Sequence, residues 1–270
     1  MPILNKDMTL CISLAARPSN IGTRFHNYLY GELGLNFIYK AFTTTDLPAA
    51  IGGIRALGIR GCSVSMPFKE DVIPLVDRMD LSASAIESVN TIVNDDGVLT
   101  AYNTDYLAVA SLLQQHRVPA ASSVMLRGSG GMAKAVAAAL RDNGFADVTI
   151  VARNEQAGRS LAGLYGFGWR PDPGEGRADL LINVTPLGMA GPDEDALAYS
   201  TEAVAAAQTV FDVVAFPAET PLIRAARAAG KNVITGAEVI TLQAAEQFVL
   251  YTGVRPTPEQ VAAAGEFSRA

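Results

Sequence analysis

Residues 123–140 read SVMLRGSGGMAKAVAAAL and decide the fold of the second half of the chain. The aliphatic residues before Gly128 predict a strand, and the alanine-rich run from about Met132 predicts a helix. Between them, Gly128-Ser129-Gly130-Gly131-Met132-Ala133 matches G-x-G-x-x-A. The first glycine permits a tight turn, the second lets backbone approach a pyrophosphate, and the small last residue lets helix and strand pack closely. Glycine triplets also occur in plain turns, but the strand before and the helix after favour a dinucleotide-binding loop.

The next predicted strand, DVTIVAR (147–153), indicates which dinucleotide the loop takes. An Asp or Glu at this strand end would bind the ribose 2′-hydroxyl of NAD, whereas an Arg accommodates the 2′-phosphate of NADP. Arg153 occupies the position, and Arg159 follows it in the next predicted helix. The pattern therefore predicts NADP rather than NAD. The alternative, in which Arg153 is simply an exposed residue at a strand end, stays open.

Outward from this stretch, short apolar runs alternate with longer helical patterns. This rhythm predicts an α/β protein with largely parallel sheets. Strands are predicted at 9–14, 36–42, 59–66, 178–184 and 209–215, a hairpin at 91–101, and helices at 22–33, after Asp46 as N-cap, and at 237–252. One helix within 103–121 would join two domains, with a cleft between them.

Composition excludes several functional classes. Of 270 residues, 49% are apolar and 18% charged, which suits a folded core and not a disordered chain. The net charge of −6 and the lack of a long basic block argue against nucleic-acid binding. Neither a secretory signal nor a membrane-spanning stretch is recognised, so we expect a cytoplasmic protein.

The cysteines and histidines fit no metal site. Cys11 and Cys62 lie far apart in the sequence and are expected to be buried thiols. His26 and His116 complete no usual zinc ligand set with them, so no metal is predicted. We expect His26 to be structural and His116 to face solvent.

Six segments, in order along almost the whole chain, carry a resemblance to a known family. The sequence resembles the shikimate dehydrogenase family, and within it the shikimate dehydrogenase-like branch. The segments are SVSMPFKE (63–70), ESVNTIVN (87–94), AYNTDY (101–106), GSGGMAKA (128–135), NVTPLGM (183–189) and GAEVITLQAAEQFVLYTG (236–253).

This resemblance implies that the chain forms two domains, one for the substrate and one for the cofactor. Residues 1–105 plus 237–270 would form an N-terminal α/β substrate-binding catalytic domain, and 106–236 a C-terminal Rossmann-type NADP-binding domain, with the final helix returning to the first domain. The implied activity is reversible hydride transfer between nicotinamide and a ring carbon of a polyhydroxylated cyclohexene carboxylate. The implied partner is this small molecule, and both a monomer and a homodimer are compatible with the sequence.

The resemblance also places the catalytic and substrate-binding side chains. Lys69 and Asp105 match the family's catalytic lysine and aspartate, while Ser65, Asn90 and Gln243 match substrate-binding positions. A lysine can exchange the hydroxyl proton if its pKa comes within reach of the working pH. We therefore assign proton transfer to Lys69 and orientation to Asp105, although the reverse assignment stays open. Taken singly, Lys69 could be a solvated residue and Asp105 a helix N-cap.

Cofactor-binding positions follow from the same resemblance. They are Gly128, Ser129, Gly130, Gly131, Met132, Ala133, Arg153, Asn154, Thr185, Val213 and Gly236.

The loop that holds the substrate carboxylate departs from the family pattern. The family carries two serines there, but this sequence has Asn20 and Gly22 at or near their positions. Asn20 and Thr23, with Ser19, are the expected substitutes. The departure leaves the substrate open among shikimate, quinate and other analogues. It also leaves open an alternative function, an NADP-binding sensor with little or no turnover.

Overall fold

The computed structural model describes residues 4–269 and divides the chain into two compact units. The first unit comprises residues 1–104 and 241–270, and the second comprises residues 105–240. Each is built on one six-stranded sheet with helices packed against it, which confirms the predicted α/β class.

The sheet of the first unit is mixed. Its strands are β1 (Thr9–Leu14), β2 (Phe37–Phe42), β3 (Gly61–Val64), β4 (Arg78–Met79), β5 (Thr91–Asp95) and β6 (Val98–Tyr102), in the order β2-β1-β3-β5-β6-β4. β1 pairs in parallel with β2 and β3, whereas β5 runs antiparallel to β3 and β6. The helices of this unit are α1 (Asn20–Glu32), α2 (Leu47–Ala56), α3 (Leu81–Ser84), most of α9 (Gly236–Thr252), and α10 (Pro258–Arg269); a 3-10 helix covers Ile73–Leu75.

Local sequence signals explain several of these elements. The Asp46 carboxylate accepts a hydrogen bond from the backbone N–H of Ala49 at 3.0 Å, so Asp46 caps α2 as predicted. The predicted hairpin also forms: Asp96 and Gly97 join β5 to β6 with φ of 52° and 90°. Positive φ at both turn residues is what a type I′ turn, the common two-residue hairpin turn, requires.

The sheet of the second unit is wholly parallel. Its strands are β7 (Val124–Arg127), β8 (Val148–Val151), β9 (Gly168–Arg170), β10 (Leu180–Asn183), β11 (Thr209–Asp212) and β12 (Asn232–Thr235), in the order β12-β11-β10-β7-β8-β9. Its helices are α4 (Thr104–Gln115), α5 (Gly131–Asp142), α6 (Glu155–Tyr165), α7 (Thr201–Ala206) and α8 (Pro221–Ala228). This doubly wound order confirms the Rossmann-type prediction. In such sheets ligands bind at the carboxyl ends of the strands where the order reverses, here between β7 and β10.

The structure also contains elements that the sequence patterns did not indicate. β4, β9 and β12 lie at sheet edges and have two to four residues each, too short to show a period. The strand predicted at 59–66 is shorter and covers only Gly61–Val64. The chain does return to the first unit through α9, but α10 follows it there and packs against α1.

The structure confirms the predictions for both cysteines and for His26, but not the prediction for His116. Cys11 and Cys62 are buried free thiols, as expected, and His26 is fully buried in the core. His116 was expected to face solvent, but its side chain is only 21% exposed and its Nε2 lies 3.0 Å from Glu238 Oε1. That part of the prediction is wrong, because α9 begins with an acidic residue beside the histidine. No helix within residues 4–269 is long and apolar enough to cross a membrane.

Candidate active site

One edge of the first sheet gathers most of the predicted substrate-binding positions. β1 and β3 are parallel and end at this edge, and Ser63 of β3 pairs with Thr91, the first residue of antiparallel β5. Thr91 in turn pairs with Tyr102, the last residue of β6. The segments that leave β1, β3 and β6, and the residue before β5, therefore meet at the same edge.

The segment after β3 carries Ser65 and Lys69. The Ser65 N–H donates to Leu14 O at 2.9 Å, which ties the segment to the end of β1. The N–H of Val89 donates to Lys69 O at 2.8 Å, so the Lys69 backbone lies beside the residue that precedes Asn90. Three predicted site residues from two separate sequence segments are thus held near one another by backbone hydrogen bonds.

The segment after β1 leads into α1, whose first turn holds Asn20 and Thr23. Ser19 precedes the helix without a side-chain capping bond, and the first turn contains no acidic residue. Such a helix N-terminus offers N–H groups and a positive dipole end to an anion. Asn20 is exposed, whereas the Thr23 hydroxyl is buried and has no hydrogen-bond partner among the described residues.

Asn90 is 3% exposed and has a fixed orientation. Its Oδ1 accepts from the backbone N–H of Thr104 at 2.8 Å and from the Thr91 hydroxyl at 2.8 Å. A backbone N–H can only donate, so the carboxamide oxygen points inward and Nδ2 points the other way. Asn90 is therefore arranged to offer a donor, as binding to a substrate hydroxyl requires.

Asp105 follows Thr104 directly and lies in the first turn of α4. It is inside the helix, so it is not the N-cap residue that the alternative interpretation required. Asp105 belongs to the second unit and Lys69 to the first, and their pairing stays a prediction.

Sequence reasoning selected Gln243 on α9 and missed Gln247, one turn later. Gln243 is partly exposed, whereas Gln247 is 3% exposed and its Nε2 donates to Thr91 Oγ1 at 2.9 Å. Residues four apart lie on the same face of a helix. A second glutamine at that spacing, beside Phe248, was the available signal.

In the second unit, the glycine-rich loop has the geometry of a phosphate cradle. Gly128 has φ of 129°, and a Cβ there would lie 2.6 Å from Val184 Cγ2, so only glycine fits. A Cβ at Gly130 or Gly131 would meet no atom within 4 Å, which leaves open space in front of the α5 N-terminus. Ala133 is fully buried against the sheet. The residues present therefore fit a dinucleotide pyrophosphate.

The end of β8 presents Arg153, which is exposed, and Asn154. Asn154 Oδ1 accepts from the Ala157 N–H at 3.0 Å, so this side chain caps α6. Arg159 is committed elsewhere: it bonds Glu155 at 2.8 Å and lies over the Trp169 ring at 4.3 Å. Arg153 is thus the better placed of the two predicted arginines for a phosphate.

Sequence reasoning missed Arg127, the last residue of β7. Its guanidinium bonds Ala198 O and lies 6.0 Å from the Tyr199 ring. Burial lowers the pKa of Arg127, and the positive charge of Arg153 lowers it further. Two arginines therefore share the electrostatic environment at this end of the sheet.

A buried network around Asp212 includes Thr185, another predicted cofactor position. Asp212 accepts from Asn183 Nδ2 at 3.0 Å and from Thr220 Oγ1 at 2.7 Å, and burial raises its pKa. Asn183 Oδ1 in turn accepts from the Thr185 hydroxyl at 2.6 Å. The network fixes the turn after β10 beside the glycine loop.

Gly236 and Val213 are brought together at the carboxyl ends of β11 and β12. A Cβ at Gly236 would lie 2.4 Å from Val213 O, so the start of α9 can approach this backbone only with glycine there. Within residues 4–269, no group of three or more His, Cys, Asp or Glu side chains is placed to hold a metal ion.

Comparisons with known proteins agree over the whole chain. A family model described as the shikimate dehydrogenase substrate binding domain matches residues 20–92. A shikimate dehydrogenase-like protein of Haemophilus influenzae is 55% identical over 268 residues, 99% of each chain.

Two solved structures are similar to this one. That of a shikimate 5-dehydrogenase-like protein has a TM-score of 0.98 at 55% identity and covers 99% of this chain and 100% of its own. That of a Thermus thermophilus shikimate 5-dehydrogenase, in complex with NADP(H) and shikimate, has a TM-score of 0.86 at 28% identity and covers 97% of this chain and 100% of its own.

Proposed function

Since this chain belongs to the shikimate dehydrogenase family, we propose that it is an NADP-dependent oxidoreductase that transfers hydride reversibly between a cyclic hydroxy acid and its keto form. We propose shikimate, or a close cyclic analogue, and its 3-keto form as the substrate pair. The observation that carries the proposal is the convergence of Ser65, Lys69 and Asn90 at one sheet edge. These residue types supply a hydroxyl, an amine and an amide donor, which suit a polyol.

The second unit supports the cofactor part of the proposal. Gly128–Ala133 would hold the pyrophosphate, Arg153 the 2′-phosphate, and Thr185, Val213 and Gly236 would line the remainder. NADP held by these residues would supply the hydride acceptor for the alcohol carbon, and NADPH the hydride donor for the reverse direction. The relative from Thermus thermophilus was solved with NADP(H), which is consistent with this assignment.

Lys69 handles the proton that accompanies the hydride. As alcohol becomes ketone, the hydroxyl loses its proton to the Lys69 amine; in the reverse direction the ammonium returns it to the developing alkoxide. We propose that Asp105 orients the lysine and the hydroxyl. Asn90 donates from Nδ2 to a substrate hydroxyl and so holds the ring in place.

A turnover screen tests the function. Purified protein is incubated with NADP and a panel of shikimate, quinate and other cyclic hydroxy acids, and NADPH absorbance is followed in both directions. We expect turnover with at least one member and slower turnover with NAD.

One observation favours the second candidate, a binding sensor. Gly22 has no side chain where the family has a serine, so this loop lacks one of the two hydroxyls that the family carries there. NADPH binding without turnover of any panel member would support the sensor and contradict the enzyme.

A further inference from the structure

A chain of buried hydrogen bonds runs from α9 to Asn90. Gln247 Nε2 lies 2.9 Å from Thr91 Oγ1, 3.2 Å from Ser63 Oγ and 3.3 Å from Asn90 O. The backbone carbonyl of Asn90 can only accept, so the Gln247 atom that faces it is the nitrogen. Gln247 is therefore a donor to Thr91.

The Thr91 hydroxyl accepts a hydrogen bond from Gln247 and donates one to Asn90. A hydroxyl has one proton, and the Gln247 amide donates to its oxygen, so the proton is free to point at an acceptor. Asn90 Oδ1 is the nearer acceptor at 2.8 Å, while Thr104 Oγ1 is 3.5 Å away. Thr91 thus donates to Asn90, and Thr91 is fully buried, so water does not compete for these bonds.

The side-chain nitrogen of Asn90, Nδ2, remains available as a hydrogen-bond donor. Its Oδ1 accepts from Thr91 and from the N–H and hydroxyl of Thr104. Its Nδ2 makes no hydrogen bond within residues 4–269, and it is not sealed from solvent. The hydrogen bonds to Oδ1 fix the orientation of the carboxamide, so its nitrogen is held ready to donate to a ligand acceptor.

We propose that Gln247 is a positioning residue for substrate recognition: through Thr91 it holds the Asn90 carboxamide with Nδ2 directed to a substrate hydroxyl. This inference rests on the proposed function, because it takes Asn90 as the residue that touches the polyol. It adds a residue on a helix remote in sequence from the substrate-binding segments. Gln247 itself makes no contact with substrate in this assignment.

The test is a double-mutant cycle with Thr91→Val and Gln247→Met. Each variant should raise the KM for the polyol by about 3- to 10-fold, the loss expected for one neutral hydrogen bond. Neither should alter the KM for NADP, and kcat should change much less than KM. The double variant should match Thr91→Val alone, because Gln247 acts through Thr91. Effects that multiply in the double variant would overturn the proposal.

Two further variants separate positioning from folding. Thr252→Val removes a hydroxyl that donates to Phe248 O at 2.7 Å on the same helix, and it should leave the KM unchanged. Gln247→Glu keeps the side-chain size but replaces the donor with acceptors. It should raise the KM at least as much as Gln247→Met. A KM equal to wild type in Gln247→Glu would overturn the proposal.

A spectroscopic measurement keeps the inference independent of turnover. The protein is labelled selectively with ¹⁵N-asparagine, and the Asn90 side-chain resonance is assigned by its loss in Asn90→Asp. This resonance should shift in Gln247→Met and should not shift in Thr252→Val. An unmoved resonance in Gln247→Met would show that Gln247 does not set the orientation. If wild type turns over no polyol, the proposed function fails, while this measurement still decides the positioning role.

Discussion

Lys69 is the single residue on which the proposed chemistry depends most. Lys69→Ala removes the proton donor and acceptor, so kcat should fall by about 10²- to 10⁴-fold. NADP affinity should stay unchanged, since the glycine-rich loop belongs to the other unit. Steady-state kinetics and NADPH titration measure the two effects. Lys40→Ala, at an exposed lysine beside Phe42, is the control. Turnover close to wild type in Lys69→Ala would remove the assignment.

We predict that Asn20 and Gly22 determine how well a substrate carboxylate binds at the α1 N-terminus. A Cβ at Gly22 would lie 3.6 Å from the Tyr39 hydroxyl oxygen, an ordinary contact, so a serine fits there. Asn20→Ser combined with Gly22→Ser should lower the KM for shikimate by about 10- to 150-fold, equivalent to ~1.5–3 kcal/mol for a hydrogen bond to a charged group. Ile21→Ser adds a hydroxyl between them and serves as control. An unchanged KM in the double variant would show that the carboxylate binds elsewhere.

Arg153 is the residue that we expect to distinguish NADP from NAD. Arg153→Ala should raise the KM for NADP much more than the KM for NAD, because only NADP carries the 2′-phosphate. Arg159→Ala, six residues on, removes an arginine already engaged with Glu155 and Trp169, and it should alter neither KM strongly. Equal effects of Arg153→Ala on both cofactors would contradict the 2′-phosphate assignment.

Among the helices, α6 is capped by Asn154, which is also a predicted cofactor-binding residue. Its Oδ1 caps α6 through the Ala157 N–H. Asn154→Ala should lower the free energy of unfolding by about 0.5–2 kcal/mol, whereas Asn154→Ser should retain most of it. Denaturant unfolding measures both. Equal stability of the Ala variant and wild type would mean that the cap contributes nothing, leaving only the predicted cofactor role.

Which elements could be predicted follows from their length and period. β1, the α2 cap, the β5–β6 hairpin and the strand–loop–α5 unit carry clear local signals, and the structure confirms them. β9 and β12 carry little signal, because a three- or four-residue edge strand is defined by its neighbour in the sheet. α9 has no polar face that marks its exposed side, so Gln247 could not be recognised as buried before the packing was known.

For the whole molecule, the sequence predicts which segments carry the site, while the structure adds the contacts that orient them. Lys69, Asn90 and the glycine loop are recognisable as motifs. The Asp212–Asn183–Thr185 network and the Gln247–Thr91–Asn90 chain join residues distant in sequence, and no local pattern predicts such pairs. Long-range hydrogen bonds depend on strand order and helix placement, which single residues do not encode.

His26 links the folding stability of the molecule to pH. Its ring stacks on Tyr39 at 4.4 Å, and neither ring nitrogen has a hydrogen-bond partner among the described residues. Burial lowers the pKa of His26 from its ordinary 6.5 to about 3, and the neighbouring Gln247 opposes this shift only in part. At mildly acidic pH, His26 is therefore neutral in the folded protein and protonated in the unfolded chain.

The sign of the resulting pH dependence can be tested with His26→Phe. The contribution of the neutral histidine is fully present above pH 6.5 and is lost as the pH falls toward 3, by up to about 1.4 kcal/mol per pH unit. His26→Phe keeps an aromatic ring against Tyr39 and has no titrating group, so its unfolding free energy should fall less between neutral and mildly acidic pH. Denaturant unfolding of wild type and His26→Phe at several pH values measures the two slopes. A His26→Phe slope as steep as that of wild type would show that the buried imidazole is not the source.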